Sequence, residues 1–469
     1  MTAAALARLR ECLGEASVLT DDAAVEPYLH DERRLYHGRT LAVLRPRDAA
    51  EVAAAVRICA DFKLPMVPQG GNTGYCGGAT PDESGREVVI SLSRLRQIRA
   101  VDPLGFTLTA EAGVTLAELQ AAAAGVARLF PLSMGSEGTC QLGGVLSTNA
   151  GGLAVLRYGT ARELVLGLEV VLPDGRLWEG LTALRKDNTG YDLKQWFLGA
   201  EGTLGIITAA VLKLFPTPAA KETAWVGVAD LAAACNLLSR LREALGDNVT
   251  SFEYLTAESL ALVAGLPGMP APPLTGAPAF VLLEVSGRAD DSLREALENT
   301  LGSALARDEI DEVALAASDA QRRAMWRLRE SIPPAEKTLG GSIKHDVSVP
   351  LSALPALEAE ARAGIRQRWP EARLSVYGHI GDGNLHFNVL APAGALAEDF
   401  KARHGAAIST LVHGAAIALA GSFSAEHGVG KLKRDLLHAS ESPLSIELMQ
   451  RLKQALDPAG LMNPGKLVG

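Results

Sequence analysis

The sequence predicts an α+β protein made of two differently built parts, on three observations. In the first part, which ends near residue 216, short apolar strand-like runs are mixed with capped helices and loops. Three of those loops are dense in glycine. From about residue 220, strand-like runs alternate with amphipathic helical runs, which predicts a second sheet with helices on one face, ferredoxin-like in style. We therefore expect the architecture of the chain to change between about residues 216 and 220.

Each element of the first part has a local signal. Residues 1–11 carry early charges and predict a surface helix. Asp48 and Glu51 have the spacing of a helix-capping box, and Thr115 and Glu118 repeat it, so helices are expected to begin there. Apolar runs predict strands at residues 41–44, 65–67, 88–92, 106–110 and 164–172.

The second part alternates strands with helices. Strand-like runs lie at residues 223–228, 279–285 and 342–349. Helical runs lie at residues 230–245, 291–305 and 351–369, and a further helix is expected at 445–456. Residues 266–278 are rich in proline and glycine and predict an exposed loop.

Composition excludes several classes of protein. The chain has 469 residues and a net charge of −9 without a basic run, which argues against nucleic acid as a partner. No apolar run reaches the roughly 18 residues of a spanning helix, and the N-terminus lacks a secretory region. These features predict a soluble, cytoplasmic protein, with docking on a membrane surface left open. The five scattered cysteines predict reduced thiols, and Cys76 and Cys140 are either small loop fillers or reactive groups.

The first glycine loop, residues 68–78, reads Pro-Gln-Gly-Gly-Asn-Thr-Gly-Tyr-Cys-Gly-Gly. Glycine accepts positive φ and lets backbone N–H groups converge, so this loop predicts an anion nest suited to a pyrophosphate. Asn72 and Thr73 add side-chain hydrogen bonds. The loop has neither the spacing of a dinucleotide fingerprint nor the lysine of a P-loop. A plain surface loop is the alternative.

Two further loops share this composition. The second runs through residues 131–144 and continues over 147–152 to 157–159. The third covers residues 199–207, Gly-Ala-Glu-Gly-Thr-Leu-Gly-Ile-Ile.

A histidine pair flanks a predicted hairpin turn at residues 377–389, Tyr-Gly-His-Ile-Gly-Asp-Gly-Asn-Leu-His-Phe-Asn-Val. Asp382-Gly383 is a strong signal for a two-residue turn. Counting outward from it places His379 opposite His386, with both imidazoles aimed at one point where a metal ion could be shared. Two surface histidines are the alternative. Glu426 is the candidate third ligand, because two histidines and one carboxylate leave positions open, as catalysis requires.

The three glycine loops resemble the FAD-binding domain of the vanillyl-alcohol oxidase and p-cresol methylhydroxylase superfamily, over nearly the whole chain. The resemblance implies that residues 1–218 form a two-part FAD-binding domain with an N-terminal lead-in, that 219–422 form a substrate-binding cap, and that 423–469 return to the FAD domain. It also implies that the first two loops hold the pyrophosphate and that the third lies along the flavin. Members with a tethered flavin often carry a histidine in the first loop, so we expect non-covalent FAD here. The expected cofactor contacts are Pro68, Gln69, Gly70, Gly71, Asn72, Thr73, Gly74, Ser133, Gly138, Thr139, Gly143, Gly144, Ser147, Asn149, Gly152, Glu201, Ile206 and Asn463.

The stretches GHIGDGNLHFN and SAEHGVGK resemble motifs of FAD-dependent D-2-hydroxyglutarate dehydrogenases. The resemblance implies that His379, His386 and Glu426 bind a divalent metal, commonly zinc, and that Asn388 contacts substrate. It places His427 beside the substrate hydroxyl, where it accepts a proton while the C2 hydride passes to flavin N5. A helix cap or a further metal ligand are the alternatives for His427.

Fixed cations are expected to hold an acidic substrate. Residues 326–333 and 341–346 resemble the stretches whose arginine and lysine hold substrate carboxylates, which match Arg329 and Lys344. Pro333 stands where these dehydrogenases often have threonine, and it lacks both a hydroxyl and an N–H. Tyr191, before the third loop, either faces substrate or belongs to a structural turn.

We therefore expect an FAD- and metal-dependent dehydrogenase that oxidises a D-2-hydroxy acid, D-2-hydroxyglutarate first. Because of Pro333, D-lactate or another D-2-hydroxy acid is the rival substrate. Two other hypotheses are a flavin subunit that only relays electrons and a metal hydrolase without flavin. An electron-transfer flavoprotein, a quinone or a cytochrome would each serve as electron acceptor, and a homodimer is an open alternative.

Overall fold

The computed structural model describes residues 2–288 and 292–469. They form two compact units. The first unit comprises Met1–Gly152, Gly159–Thr217 and Glu426–Gly469, and the second comprises Leu153–Tyr158 and Pro218–Ala425. Both units combine helices with sheets, so the predicted α+β class is confirmed. The three segment boundaries given above stay predictions.

The described residues form fifteen α-helices and eighteen β-strands. The helices are α1 (Thr2–Leu13), α2 (Asp22–Val25), α3 (Ala49–Asp61), α4 (Leu116–Ala124), α5 (Leu142–Ser147), α6 (Val155–Tyr158), α7 (Leu231–Leu245), α8 (Ala257–Val263), α9 (Leu293–Leu305), α10 (Asp319–Glu330), α11 (Ile332–Thr338), α12 (Leu354–Arg368), α13 (Ala397–Ala418), α14 (Arg434–Ser440) and α15 (Pro443–Leu456). The strands are β1 (Val18–Leu19), β2 (Ala42–Leu44), β3 (Met66–Gln69), β4 (Val88–Ser91), β5 (Ile98–Asp102), β6 (Thr107–Glu111), β7 (Arg128–Leu129), β8 (Val165–Val171), β9 (Leu177–Gly180), β10 (Ile206–Lys213), β11 (Phe215–Pro216), β12 (Ala220–Val228), β13 (Val249–Thr256), β14 (Ala279–Gly287), β15 (Glu312–Leu315), β16 (Asp346–Ser348), β17 (Arg373–Gly378) and β18 (Asn384–Leu390). Within the described ranges, no helix combines the length and the apolarity needed to cross a membrane.

The first unit contains a four-stranded sheet in the order β1-β2-β4-β3. β2, β4 and β3 pair in parallel, and β3 ends at Gln69, directly before the first glycine loop. The predicted capped start of α3 is confirmed, because the Asp48 carboxylate accepts a 2.8 Å hydrogen bond from the Glu51 N–H. Apolar residues of α3 pack against this sheet in a common core.

The second and third glycine loops border a five-stranded antiparallel sheet in the order β5-β6-β10-β8-β9. α5 lies within the second loop, and β10 begins at Ile206 where the third loop ends. The C-terminal tail packs on β3, since the Met66 N–H donates to the Leu461 carbonyl and the Asn463 N–H donates to the Met66 carbonyl, each at 2.7 Å. The C-terminal tail therefore lies against the parallel sheet of the first unit.

The second unit is built on a seven-stranded sheet in the order β15-β12-β14-β13-β17-β18-β16, with antiparallel neighbours. Val226 and Leu283 face a core shared with α7, α9, α12 and α13. The adjacent Trp225 and Leu282 face a second core shared with α8, α10 and α11. The prediction that helices cover only one face of this sheet is therefore wrong. Side chains on both faces of these strands are apolar, so both faces of the sheet must be covered.

Two further differences concern single elements of the second unit. β13 is absent from the strands expected from the sequence, although all eight of its residues are buried. Asp291, where a helix was expected to begin, lies outside the described residues, and α9 is described from Leu293.

Candidate active site

Three loops of the first unit, residues 68–78, 131–152 and 199–206, pack on one another through backbone atoms, and we call them the glycine cradle. A Cβ atom added to Gly71 would lie only 2.2 Å from the Thr139 carbonyl oxygen, so the first loop lies directly on the second. The third loop contacts the second through the Glu201 N–H, which donates to the Ser147 carbonyl at 2.8 Å. Glycine at position 71 is thus required by close approach of two backbones.

The C-terminal tail closes this cradle at Glu201. The Glu201 carboxylate accepts hydrogen bonds from the Val429 N–H at 2.7 Å and from the Gly430 N–H at 2.6 Å. Burial raises the pKa of Glu201, and these two N–H groups oppose that shift. The Asn463 side-chain amide donates to the Glu201 carbonyl at 2.7 Å and to the Gly78 carbonyl at 2.9 Å.

Several predicted cofactor side chains have protein partners. The Asn72 amide donates to the His30 carbonyl at 2.6 Å, and the Gln69 amide donates to the Tyr28 carbonyl at 3.0 Å. The Asn149 Oδ1 accepts from the Arg162 N–H at 2.9 Å. These contacts shape the loops. Within the cradle, the Ser147 and Thr139 hydroxyls donate to carbonyls of their own loop, and the remaining predicted residues on the loops are Pro68, Gly70, Thr73, Gly74, Ser133, Gly138, Gly143, Gly144, Gly152 and Ile206.

The cradle fits a large polar cofactor. Cβ atoms added to Gly74, Gly138 or Gly144 would meet no described heavy atom within 4 Å, so open space lies beside these residues. The buried Gln141 Oε1 has no hydrogen-bond partner among the described residues and lies 3.6 Å from a Cβ added to Gly70. A buried acceptor without a partner is costly unless a bound group supplies a donor. The loops therefore fit FAD.

Two predicted substrate-facing residues lie on the first unit. The His427 ring is half-buried and meets the Tyr75 ring edge-on, with centroids 4.8 Å apart. Tyr191 is 87% exposed and lies in an exposed loop, residues 183–192. Within the first unit, His427 is held by a neighbouring ring while Tyr191 faces solvent.

In the second unit, the hairpin that carries the two histidines is longer than predicted. β17 ends at Gly378, residues 380–382 form a single 3₁₀ turn, and β18 begins at Asn384. His386 pairs with Tyr377 instead of His379, so the predicted two-residue turn is wrong. Such a turn needs positive φ at both central residues, and of that pair only Gly383, at 86°, has it. The two rings still meet, with centroids 5.6 Å apart.

His379 is oriented by a buried glutamate on β13. The Glu253 Oε1 lies 2.6 Å from His379 Nδ1, and Glu253 is 1% exposed. Burial alone would raise the pKa of this carboxyl, but the charges of His379 and Arg329 outweigh it and lower the pKa to about 2. A proton held on Nδ1 by this carboxylate leaves Nε2 as the lone-pair atom of His379.

Arg329 is buried against the same glutamate. Its Nε donates to Glu253 Oε2 at 2.8 Å, and its guanidinium carbon lies 4.6 Å from the centre of the Tyr377 ring. Arg329 is only 5% exposed. The predicted carboxylate-binding arginine is therefore shared with an internal partner, and its remaining N–H groups are those available to a ligand.

A second buried glutamate gathers Lys344 and Asn388. Glu336 is 1% exposed and accepts from Lys344 Nζ at 2.9 Å, from Asn388 Nδ2 at 2.9 Å and from the Ser342 hydroxyl at 2.8 Å. Asn388 Nδ2 also lies 3.4 Å from the Tyr377 hydroxyl oxygen. Tyr377 thus borders Arg329, Asn388 and His386, whose ring centroid is 5.0 Å away. We call this set the charge network; its members are Glu253, Arg329, Glu336, Lys344, Tyr377, His379, His386 and Asn388.

Asp346 connects the charge network to the residue that precedes Glu426. Asp346 faces His386 across β16 and β18, with its carboxylate 3.7 Å from His386 Nδ1. The Ala425 N–H donates to the Asp346 carbonyl at 3.1 Å. Ala425 is the last residue of the second unit, and Glu426 follows it as the first residue of the next segment of the first unit.

Sequence reasoning missed Glu253 and Glu336. A single carboxylate inside the apolar run Phe252–Leu255 is a usable signal, since a charge in a buried strand needs a partner. Glu336 lies on α11 among alanine and proline residues and gives no comparable signal.

Comparisons with known proteins agree on cofactor and fold. Residues 40–180 match an FAD binding domain, and residues 217–467 match the C-terminal domain of FAD linked oxidases. The chain is 38% identical to mitochondrial D-2-hydroxyglutarate dehydrogenase from Bos taurus, over 96% of this chain and 81% of that protein. It is 34% identical to the D-2-hydroxyglutarate–pyruvate transhydrogenase of Saccharomyces cerevisiae, over 99% and 94%. The substrate-bound p-cresol methylhydroxylase structure shares the fold, with a TM-score of 0.78, 17% identity and coverage of 99% and 96%.

One expectation from the sequence is overturned by these comparisons. The N-terminal charges and the lack of a secretory region predicted a cytoplasmic protein. That prediction is wrong, because the bovine relative is named a mitochondrial protein. Early charges and a missing secretory region do not define a compartment.

Proposed function

This chain belongs to the family of FAD-linked oxidases, and on that premise we propose that it oxidises a D-2-hydroxy acid, D-2-hydroxyglutarate before others, to the 2-oxo acid. The observation that carries the proposal is the charge network. In one unit, Tyr377 borders the His386 imidazole and the Arg329 guanidinium. The second imidazole, His379, meets His386, and the Lys344 ammonium group shares Glu336 with Asn388. An acid with two carboxylates needs this combination of cations and polar groups.

The glycine cradle would hold FAD. FAD, when bound, supplies the acceptor for the hydride that leaves C2 of the substrate. The chain would present backbone N–H groups and the Gln141 acceptor to the cofactor. The absence of side chains at Gly74, Gly138 and Gly144 would leave room for it. The first loop has no histidine, which supports non-covalent binding.

His379, His386 and Glu426 would hold a divalent metal ion, with zinc the best match to two imidazoles and a carboxylate. Glu253 supports this role for His379, because it retains the Nδ1 proton and leaves Nε2 for coordination. The Ala425–Asp346 hydrogen bond supports Glu426 as the third ligand, since it fixes the chain immediately before that residue. A bound divalent ion would make the substrate hydroxyl more acidic.

His427 would accept the hydroxyl proton. Imidazole has an ordinary pKa near 6.5, which suits a base that works at neutral pH. Arg329, Lys344 and Asn388 would orient the carboxylates, with Lys344 the more open cation because its side chain is 22% exposed. Tyr191 stays a proposed substrate contact.

D-lactate is the second candidate substrate, and Pro333 favours it. Pro333 lies in the first turn of α11, four residues after Arg329, and offers neither a hydroxyl nor an N–H to a distal carboxylate. D-lactate has no distal carboxylate. The relation to the yeast transhydrogenase adds a 2-oxo acid such as pyruvate to the candidate electron acceptors, beside an electron-transfer flavoprotein, a quinone and a cytochrome.

The test is the anaerobic visible spectrum of the purified protein, before and after addition of D-2-hydroxyglutarate or D-lactate. Loss of the flavin's blue absorption with D-2-hydroxyglutarate, faster than with D-lactate, is the expected result. The His386→Ala variant should fail to bleach, and chelation of metal from the wild type should slow bleaching at least about tenfold.

The matched control is His438→Ala, which changes an exposed histidine of α14 and should bleach like the wild type. Unchanged turnover in His386→Ala would favour a flavin subunit that relays electrons. A purified protein without flavin would favour the metal-hydrolase hypothesis.

A further inference from the structure

Three ligand-bearing side chains meet near the N-terminus, at Glu26, His30 and His37. His30 Nε2 lies 2.6 Å from Glu26 Oε1, and His37 Nε2 lies 3.5 Å from Glu26 Oε2. One nitrogen or oxygen atom from each residue lies within 4.8 Å of the others. All three residues belong to the first unit and share no member with the charge network.

The backbone places the two histidine side chains next to each other. His30 and His37 face each other in an antiparallel bridge, and their rings stack with centroids 4.2 Å apart and planes 8° apart. The intervening loop is closed by Asp31, which is 3% exposed and accepts from the Tyr36 N–H at 2.7 Å and the Arg33 N–H at 3.1 Å. The closed loop therefore keeps the two histidines adjacent, while their partly exposed rings can turn about the side-chain torsions.

We propose that Glu26, His30 and His37 form a binding site for a divalent transition-metal ion of the zinc class. A tetrahedral ion with ligands at about 2.1 Å separates its ligand atoms by about 3.4 Å. The His37–Glu26 pair, at 3.5 Å, already matches this spacing, and the His30–Glu26 pair, at 2.6 Å, needs to open by less than 1 Å. One imidazole also has to turn out of the stack, because an ion lies in the plane of each ring that binds it. The side chains are 51% (Glu26), 29% (His30) and 56% (His37) exposed, which gives the ion an entry path and lets the ligands adjust.

The chemistry of the three groups suits a divalent metal ion. One divalent ion satisfies both nitrogen lone pairs and the carboxylate together, and imidazole with carboxylate is a ligand set that zinc accepts. The fourth position is left to water.

Binding at this site would act on the glycine cradle through two backbone carbonyls. Tyr28 and His30, both within the segment that the ion would brace, accept the side-chain hydrogen bonds of Gln69 and Asn72. An ion that restricts residues 26–37 therefore also restricts the first glycine loop. The expected role is structural, and the site contributes no group to the proposed reaction.

The experiment measures bound zinc in the full-length protein after metal removal and equilibrium dialysis against micromolar ZnCl₂. The measurement is made in a background variant, His379→Ala/His386→Ala, which lacks both histidines of the metal site proposed for the reaction. This protein should retain about one zinc per chain, and adding His37→Ala should remove it. Adding His438→Ala instead should leave it, because that histidine is equally exposed and lies outside the cluster.

A second readout does not depend on the background variant folding. Cu²⁺ added at one equivalent to His37→Ala and to the wild type should show, by pulsed electron paramagnetic resonance, loss of one imidazole nitrogen from the population bound at this site. Zinc retention that is the same with and without His37→Ala would overturn the proposal, as would a background protein that binds no zinc while its circular dichroism shows it folded. Loss of activity in the background variant tests the proposed function and has no bearing on this site.

Discussion

In the glycine cradle of the first unit, loops meet through backbone atoms and leave open space beside several glycines, whereas in the charge network of the second unit buried carboxylates are paired with cationic side chains. Gly71 approaches the Thr139 carbonyl too closely for any side chain. Glu253 and Glu336 instead each pair with a cation. The difference teaches that adding an atom should disrupt the cradle, while removing a charge should disrupt the network.

The largest effect is expected from Glu253→Ala. Loss of this carboxylate leaves Arg329 buried without its partner and removes the acceptor at His379 Nδ1. Removal of one partner of a buried ion pair costs about 3–5 kcal/mol. Urea unfolding followed by circular dichroism measures this change in the free energy of unfolding. Glu243→Ala, on the exposed side of α7, is the control and should cost less than about 0.5 kcal/mol. Equal losses in both variants would contradict the role given to the network.

Acid should weaken the network by way of the same residue. The pKa of Glu253 is lowered from its ordinary 4.5 to about 2, against the effect of burial, by His379 and Arg329. Because the folded-state pKa is the lower one, Glu253 contributes stability above about pH 4.5 and loses it as the pH falls toward 2, by about 3 kcal/mol in total. The free energy of unfolding measured from pH 6 to pH 2.5 should therefore fall more steeply in the wild type than in Glu253→Gln. Parallel pH profiles would refute this.

In the cradle, Gly71→Ala should destabilise the protein by about 1–3 kcal/mol, because its Cβ would sit 2.2 Å from a backbone oxygen. The melting temperature of the apoprotein is the measurement. Gly144→Ala is the matched comparison, since its Cβ meets no described atom within 4 Å and α5 should gain about 0.5–1 kcal/mol from alanine. Gly144→Ala should nevertheless retain less FAD after gel filtration. Normal FAD content in that variant would remove Gly144 from the cofactor site.

The smallest effect is expected for Gln141→Met. The Gln141 Oε1 has no partner within the described part of the chain, so its removal should leave the apoprotein nearly as stable. If FAD supplies the missing donor, its Kd should rise by about three- to tenfold, as expected for one hydrogen bond. Fluorescence titration of the apoprotein with FAD measures this. Gln454→Met, exposed on α15, is the control and should bind FAD like the wild type.

Much of the fold follows from local signals. The capped starts of α3 and α4 form as predicted, because the capping side chain and the helix N-terminus are neighbours in sequence. The three glycine loops were located because glycine density is a local property. The register of the histidine hairpin was predicted wrongly, because the 3₁₀ turn at residues 380–382 lengthens the connection and the Asp-Gly pair does not reveal this.

The partners of the buried charged residues could not be predicted either, because they are far apart in the sequence. Glu253 is 76 residues from Arg329 and 126 residues from His379 along the chain. It meets His379 because β13 lies next to β17 in the sheet, with Tyr254 opposite Gly378, and it meets Arg329 because α10 packs on that sheet. No spacing in the sequence encodes that neighbourhood.

The sequence by itself therefore determined the chemical inventory of this protein: glycine loops, a histidine pair, an arginine and a lysine for acidic ligands, and the motifs that identify the family. Only the tertiary structure decided which of those groups are already engaged, because packing of the second unit brings the distant Glu253 against Arg329 and His379 and brings Glu336 of α11 against Lys344. Local geometry is written in neighbouring residues, whereas the pairing of buried charges depends on long-range packing, where an unpaired charge is too costly to leave in place.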